Sequence, residues 1–216
     1  MKQLTRIFSV AVILIFSSVA SAEEVNPYKL LEDVATKTFA RIKDEHAEIQ
    51  KDPEILRTII EQDLLPYIDY NFAALKVLGK HFRTVPKEKI PEFIQVFREY
   101  LITTYALALT YYNGQDVIFQ PMQDTPEDKT ATVRAVVREP GRPDIKISFK
   151  LRKNTKTNEW KAYDMVAEGI SLLSSKQSEY ESILRQDGIQ KVIDIMKEKI
   201  AQPITLEQAK KEEISE

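Results

Sequence analysis

The chain has no cysteine, two histidines and five glycines in 216 residues. Without cysteine there are no disulfides and no thiol chemistry, so an oxidising compartment finds nothing to act on. A lipid-modified N-terminal cysteine is excluded too. The histidines, His46 and His81, lie far apart. Neither has a carboxylate or second histidine at ligand spacing on its own helical turn, so no metal centre can be read. Scattered glycines build neither a phosphate-cradling loop nor a dinucleotide fingerprint. There is no G-x-S-x-G elbow, and no Ser-x-x-Lys set in its expected setting. A strong excess of positive charge is missing as well. The formal net charge is −2, which suits neither nucleic acid nor adhesion to an anionic membrane by charge alone.

What is present begins with a leader. Lys2 and Arg6 flank an apolar stretch from Ile7 to Val19, and Ala20-Ser21-Ala22 is an A-x-A cleavage site. The stretch is shorter than the roughly 20 residues that span a bilayer. Residues 1–22 are therefore expected to be a removed signal peptide. The mature chain then carries 29 basic against 33 acidic side chains, a net −4. No later run is long and apolar enough for a membrane helix. Residues 23–203 are expected to form one domain, and 204–216 a charged C-terminal tail.

Periodicity predicts helices, then a sheet, then helices: an α+β fold. Asn26-Pro27 opens a helix to about Gln50, with Leu31, Val34, Thr38, Ile42 and Ile49 inward. Asp52-Pro53 opens a second helix. Asp69 opens a third, which Gly79 ends. A long helix follows Pro86, with its stripe at Ile90, Ile94, Phe97, Leu101, Thr104, Ala108 and Tyr111. The period then falls to two through Val117–Phe119, Ala131–Val137, Ile145–Leu151 and Trp160–Val166. These read as a four-stranded antiparallel meander with one apolar face and one basic, wet face. Helices near Ser171–Leu184 and after Gly188 complete the chain.

Two features carry chemistry. Asp164 sits among apolar strand residues, and a buried carboxylate must be paired or hydrogen-bonded. It is either a structural partner for a backbone or basic group, or a general base. The second feature is the supply of large apolar groups on the long helix and the sheet. They either fill a dense core or line a cavity for an apolar ligand, and periodicity does not separate the two.

The run Val77-Leu78-Gly79-Lys80-His81-Phe82-Arg83 leads into Phe93-Ile94-Gln95-Val96-Phe97-Arg98 and on to Tyr112-Asn113-Gly114. Trp160-Lys161-Ala162-Tyr163-Asp164 and Glu168-Gly169-Ile170-Ser171-Leu172 follow. In this order the pattern resembles the MlaC, or toluene-tolerance, family over almost the whole mature chain. Phe82 stands where the family often has Trp, and Ser175-Lys176-Gln177 replaces a common aromatic-Arg pair. The resemblance implies an NTF2-like sheet with a phospholipid pocket between sheet and helices, and neither cofactor nor catalysis. It implies a periplasmic shuttle, here expected to be a monomer. Its implied partners are an MlaA-like outer-membrane lipoprotein with a porin, and an MlaD-like substrate-binding subunit of an inner-membrane ABC transporter.

With such a pocket, predicted facing sets Phe97, Leu101 and Tyr105 of the long helix opposite Val133, Val137, Ile147 and Phe149 of the sheet. Trp160 and Leu172 are expected to close one end. The alternatives are an enzyme of similar fold using Asp164 as base, and an interaction module or chaperone holding no lipid.

Overall fold

The computed structural model describes residues 25–121 and 129–206. The expected signal peptide and most of the expected tail lie outside the described residues.

The first helix, α1 (Pro27–Asp44), starts where its local chemistry says it should. The Asn26 side chain accepts hydrogen bonds from the Tyr28 and Lys29 amides at 2.9 and 3.4 Å. Pro27 occupies the first turn, where its missing N–H is not needed. Leu31, Val34, Thr38 and Ile42 are buried. The helix stops at Glu45 rather than near Gln50, and a separate turn, α2 (His46–Lys51), brings Ile49 into the core. The second expected helix is also short. From α3 (Ile55–Ile59) the chain widens into a π turn over Ile60–Leu64 and then tightens into a 3-10 turn over Leu65–Tyr67.

Asp69 caps α4 (Tyr70–Leu78), its side chain accepting from the Phe72 amide at 3.1 Å. Gly79 ends it with φ +51° and ψ −127°, a conformation that side-chain-bearing residues avoid. A Cβ at this position would lie 2.0 Å from Gln177 Nε2. Gly79→Ala is expected to cost about 1–3 kcal/mol. Gly79→Ala with Gln177→Ala should recover only the steric part, leaving the backbone strain. Thermal melts of the two variants measure the split.

After a 3-10 turn, α5 (Ile90–Leu109) carries Pro91 in its first turn. Its buried residues are Phe93, Val96, Phe97, Tyr100, Ile102, Thr103 and Ala106. The expected stripe is thus corrected at its far end, where Ala108 and Tyr111 are exposed. Helices α3, α4 and α7 (Gly188–Ile200) press on α5 from several sides, so its buried surface is wider than one stripe.

The sheet has five strands rather than the expected four: β1 (Asp116–Phe119), β2 (Thr130–Arg138), β3 (Ile145–Lys153), β4 (Trp160–Ala167) and β5 (Ile170–Ser171). They pair antiparallel in chain order. The fifth strand is a two-residue return after Glu168-Gly169, too short to leave a periodic signal. Register places Val117, Phe119, Ala131, Val133, Ala135 and Val137 on one face with Ile145, Ile147, Phe149 and Leu151. Arg134, Lys146, Lys150 and Arg152 lie on the other. In β4, Ala162 pairs with Leu151 but Asp164 pairs with Lys150. Tyr163 is therefore an inserted bulge residue, and it sends Asp164 to the polar face.

The core falls into three clusters. One joins α4, α5, α7 and α6 (Leu172–Gln186) around Phe93, Tyr180 and Met196. A second joins α1, α2, α3 and α5 around Ile59, Ile60 and Ala106, and also buries Ile204. The packed chain thus continues past Pro203. Arg57 clasps this segment by donating to the carbonyls of Ile200 and Gln202 at 3.1 and 2.7 Å. The third cluster sets Leu31 of α1 against Val133, Leu151 and Trp160 of the sheet.

Candidate functional site

The apolar sheet face is sealed at one end and open at the other. Val133 and Leu151 are wholly buried beneath α1. Toward the start of β3, Phe149, Ile147 and Val137 are half-buried, Ile145 is 48% exposed and Ile170 is 63% exposed. Ile170 pairs with Ala167, and Ala167 with Ile147, so these apolar groups share one face and one rim. The main contacts of α5 are with α3, α4 and α7.

A cleft of about 600 Å³ opens between α1 and β1. Phe39 and Ile42 line it from α1, Val117 and Phe119 from β1, and Tyr112 from the connecting turn. Phe39 and Tyr112 stack with ring centres 4.6 Å apart. Burial and the Asp116 carboxylate both push the Tyr112 hydroxyl above its ordinary pKa. Apart from Ala35 and Gly114, the remaining lining is polar and includes Lys43, His46, Asn113, Gln115 and Asp116. An apolar floor with a polar rim suits an amphiphile, with fat below and charge above.

One wall of this cleft is held by a buried carboxylate. Asp63, on the π turn, is 6% exposed. It accepts from Lys37 at 3.1 Å and Arg41 at 3.0 Å, both on α1. Burial pushes its pKa up, but the two hydrogen bonds and their charges outweigh that, and the net shift is downward. A depressed carboxyl stabilises the fold fully above its ordinary value of 3.8 and loses that contribution as pH falls through the lower folded-state value. Asp63→Asn should therefore lower the melting temperature at neutral pH and bring it toward wild type in strong acid. Melts taken from neutral pH down to about 2 check this.

Asp164 is occupied. Its side chain is 3% exposed. It accepts from the Ser171 hydroxyl at 2.8 Å, the Leu173 amide at 3.1 Å and the Lys150 ammonium at 3.2 Å. Ser171 in turn accepts from the Ser174 amide at 3.0 Å. Carboxylate and hydroxyl together cap the start of α6 and tie it to β4. Of the two sequence readings for Asp164, these partners are those of a structural role.

The residues predicted to line a pocket are distributed as follows. Val133, Val137, Ile147 and Phe149 share the apolar sheet face. Phe97 and Leu101 belong to the helical cluster around Phe93. Tyr105 packs in the second cluster, beside Phe39 and Tyr112. Burial, with the Asp164 carboxylate adding to it, lifts the Tyr105 hydroxyl to about 12. Trp160 opens β4 and is buried, whereas Leu172 is the first residue of α6, beyond β5, and is 37% exposed. Sequence reasoning missed Phe39, Ile42, Lys43 and Asp116 as cleft residues. No signal marks them, because the cleft exists only once α1 is laid against β1. Among the described residues no group of three or more His, Asp or Glu could hold a metal ion. No described helix is long and apolar enough to cross a membrane.

Comparison with known proteins adds three findings. The family model for the MlaC protein matches residues 32–198. The intermembrane phospholipid transport system binding protein MlaC of Haemophilus influenzae is 34% identical over 186 residues, covering 86% of this chain and 87% of its own. The solved structure of the phospholipid-binding protein from Ralstonia solanacearum, in complex with a phospholipid, superposes with a TM-score of 0.72 at 20% identity. It covers 82% of this chain and 98% of its own.

Proposed function

The chain belongs to the MlaC family, and on that premise we propose that it is a soluble periplasmic phospholipid carrier rather than an enzyme. The observation that carries this reading is the cleft on the apolar sheet face, with its aromatic floor and charged rim. Each acyl CH₂ left in water costs about 0.8 kcal/mol. A carrier crossing an aqueous space must cover the chains and can leave the headgroup wet. Leu101, Tyr105, Val137, Ile147, Phe149 and Leu172 are the predicted lining residues that keep accessible surface. In this reading they touch an acyl chain. Phe97, Val133 and Trp160 are buried, the first among the helices and the other two between sheet and α1.

In this reading the sheet serves as an NTF2-like cradle. The carrier exchanges phospholipid between an MlaA-like outer-membrane lipoprotein with its porin and an MlaD-like subunit of an inner-membrane ABC transporter. It works as a monomer, after removal of the leader, and uses no cofactor. Native mass spectrometry of the purified protein, followed by lipid extraction, is the direct test. A mass excess matching phospholipid supports the carrier. A lipid-free mass, with no uptake from added vesicles, would return the fold to the interaction-module reading.

A further inference from the structure

The turn between α5 and β1 holds Asn113-Gly114 at the lip of the cleft. We propose that this pair is a self-modification site, at which the Gly114 backbone nitrogen attacks the Asn113 side-chain carbonyl carbon and expels ammonia. A bond forms between Gly114 N and Asn113 Cγ, and the Cγ–Nδ2 bond breaks. The Gly114 amide proton leaves with the amine. Water then opens the cyclic imide at either carbonyl, giving aspartate or isoaspartate. The step needs no oxidant, and it stands independently of what the cleft holds.

The reaction needs an unshielded nitrogen, a free side-chain amide and room to bring them together. Glycine supplies the first, having no side chain over its nitrogen. Asn113 and Gly114 are both exposed, and a Cβ built on Gly114 would meet nothing within 4 Å. Among the described residues the Asn113 side chain has no hydrogen bond, and the Gly114 N–H donates to no acceptor. What is tied down lies to either side. The Gln115 side chain accepts from the Asn113 backbone amide at 2.8 Å and donates to the Tyr111 carbonyl at 3.3 Å. That clip holds the turn and leaves the reacting groups free. The other asparagines are placed differently. Asn26 precedes Pro27, whose nitrogen carries no proton, and its side chain is engaged by the Tyr28 and Lys29 amides. Asn71 precedes Phe72, whose amide donates to Asp69. The Asn154 side chain accepts from the Lys156 amide at 2.9 Å. Asn158 precedes Glu159, whose side chain shields its nitrogen. Each event at Asn113 puts a carboxylate on the cleft lip in place of a neutral amide. The isoaspartyl product also routes the backbone through Cβ, lengthening the link between Tyr112 and β1.

The test incubates purified protein in mildly alkaline buffer, folded or in urea, and maps its peptides by mass spectrometry over time. In the folded protein the Asn113 peptide is expected to convert well ahead of those holding Asn26, Asn71, Asn154 and Asn158, and at a rate close to that in urea. A protein isoaspartyl methyltransferase should label the same peptide. Gly114→Ala should slow conversion severalfold by shielding the nitrogen. Its Cβ has room, but φ of +86° strains the backbone, so a second variant, Asn113→Gln, keeps Gly114 and enlarges the imide ring. It should show no acidic charge variant on ion exchange over the same time. A folded protein whose Asn113 peptide stays unchanged while the urea sample converts overturns the proposal. So does undiminished conversion in Gly114→Ala, or an acidic charge variant that persists in Asn113→Gln.

Discussion

Ala35→Trp is expected to remove most phospholipid uptake while the protein stays folded. Ala35 lines the cleft from α1, one turn before Phe39, and is only half-buried. A Trp side chain there projects into open space rather than into packed neighbours, so the overpacking cost of a core substitution does not arise. The indole would stack toward Phe39 and Tyr112 and occupy the apolar floor. Occupancy by native mass spectrometry should fall at least about tenfold, because displaced acyl CH₂ groups cost about 0.8 kcal/mol each and two are enough. The melting temperature should hold or rise. Unchanged lipid occupancy would place the acyl chains elsewhere, and the partly open sheet face around Ile145 and Ile147 would be the next surface to block.

Asp164→Ala should give the largest loss of stability of any polar substitution considered. It leaves the Ser171 hydroxyl and the Leu173 amide without their acceptor and uncaps α6. Each stranded buried donor costs about 1–3 kcal/mol, and a lost cap about 1 kcal/mol. A net loss of about 3 kcal/mol is expected, read as a shift in the urea midpoint. Lys150 is 42% exposed, so it rehydrates and adds little. Asp164→Asn keeps an acceptor for the amide and should cost less. A general base would behave in the opposite way, losing turnover with the fold unharmed. A variant as stable as wild type would therefore remove the capping role argued from the three contacts.

Local signals were readable wherever one residue settles a geometry. Asn26 and Asp69 as caps, Pro27 and Pro91 in first turns, and Gly79 as a stop all act within a few residues of themselves. Alternation likewise displayed the apolar sheet face, since period two survives any overall arrangement. Features set by spatial neighbours were not readable. The buried side of α5 is wide because three helices surround it, and no one-dimensional stripe encodes three contacts. The fifth strand has two residues and no period. Phe39 and Phe119 line one cleft only through the placement of α1 beside β1, about 80 positions apart along the chain. The family blocks around Gly79 and Trp160 pointed to the family, but they contribute no residue to the cleft.

The extra residue at Tyr163 makes β4 two half-strands of opposite phase. Before it, Trp160 and Ala162 point to the apolar face. After it, Asp164 points to Lys150 and the head of α6. Its ring meets Phe72 edge-on, 5.1 Å away, and many other side chains could take that place. The position itself has no substitute. A chain one residue shorter would have to turn either the carboxylate inward or the indole outward, along with everything on that side of the break. The strand is therefore forgiving of spelling at Tyr163 and intolerant of a change in count, so insertions and deletions here should be far more damaging than any point substitution.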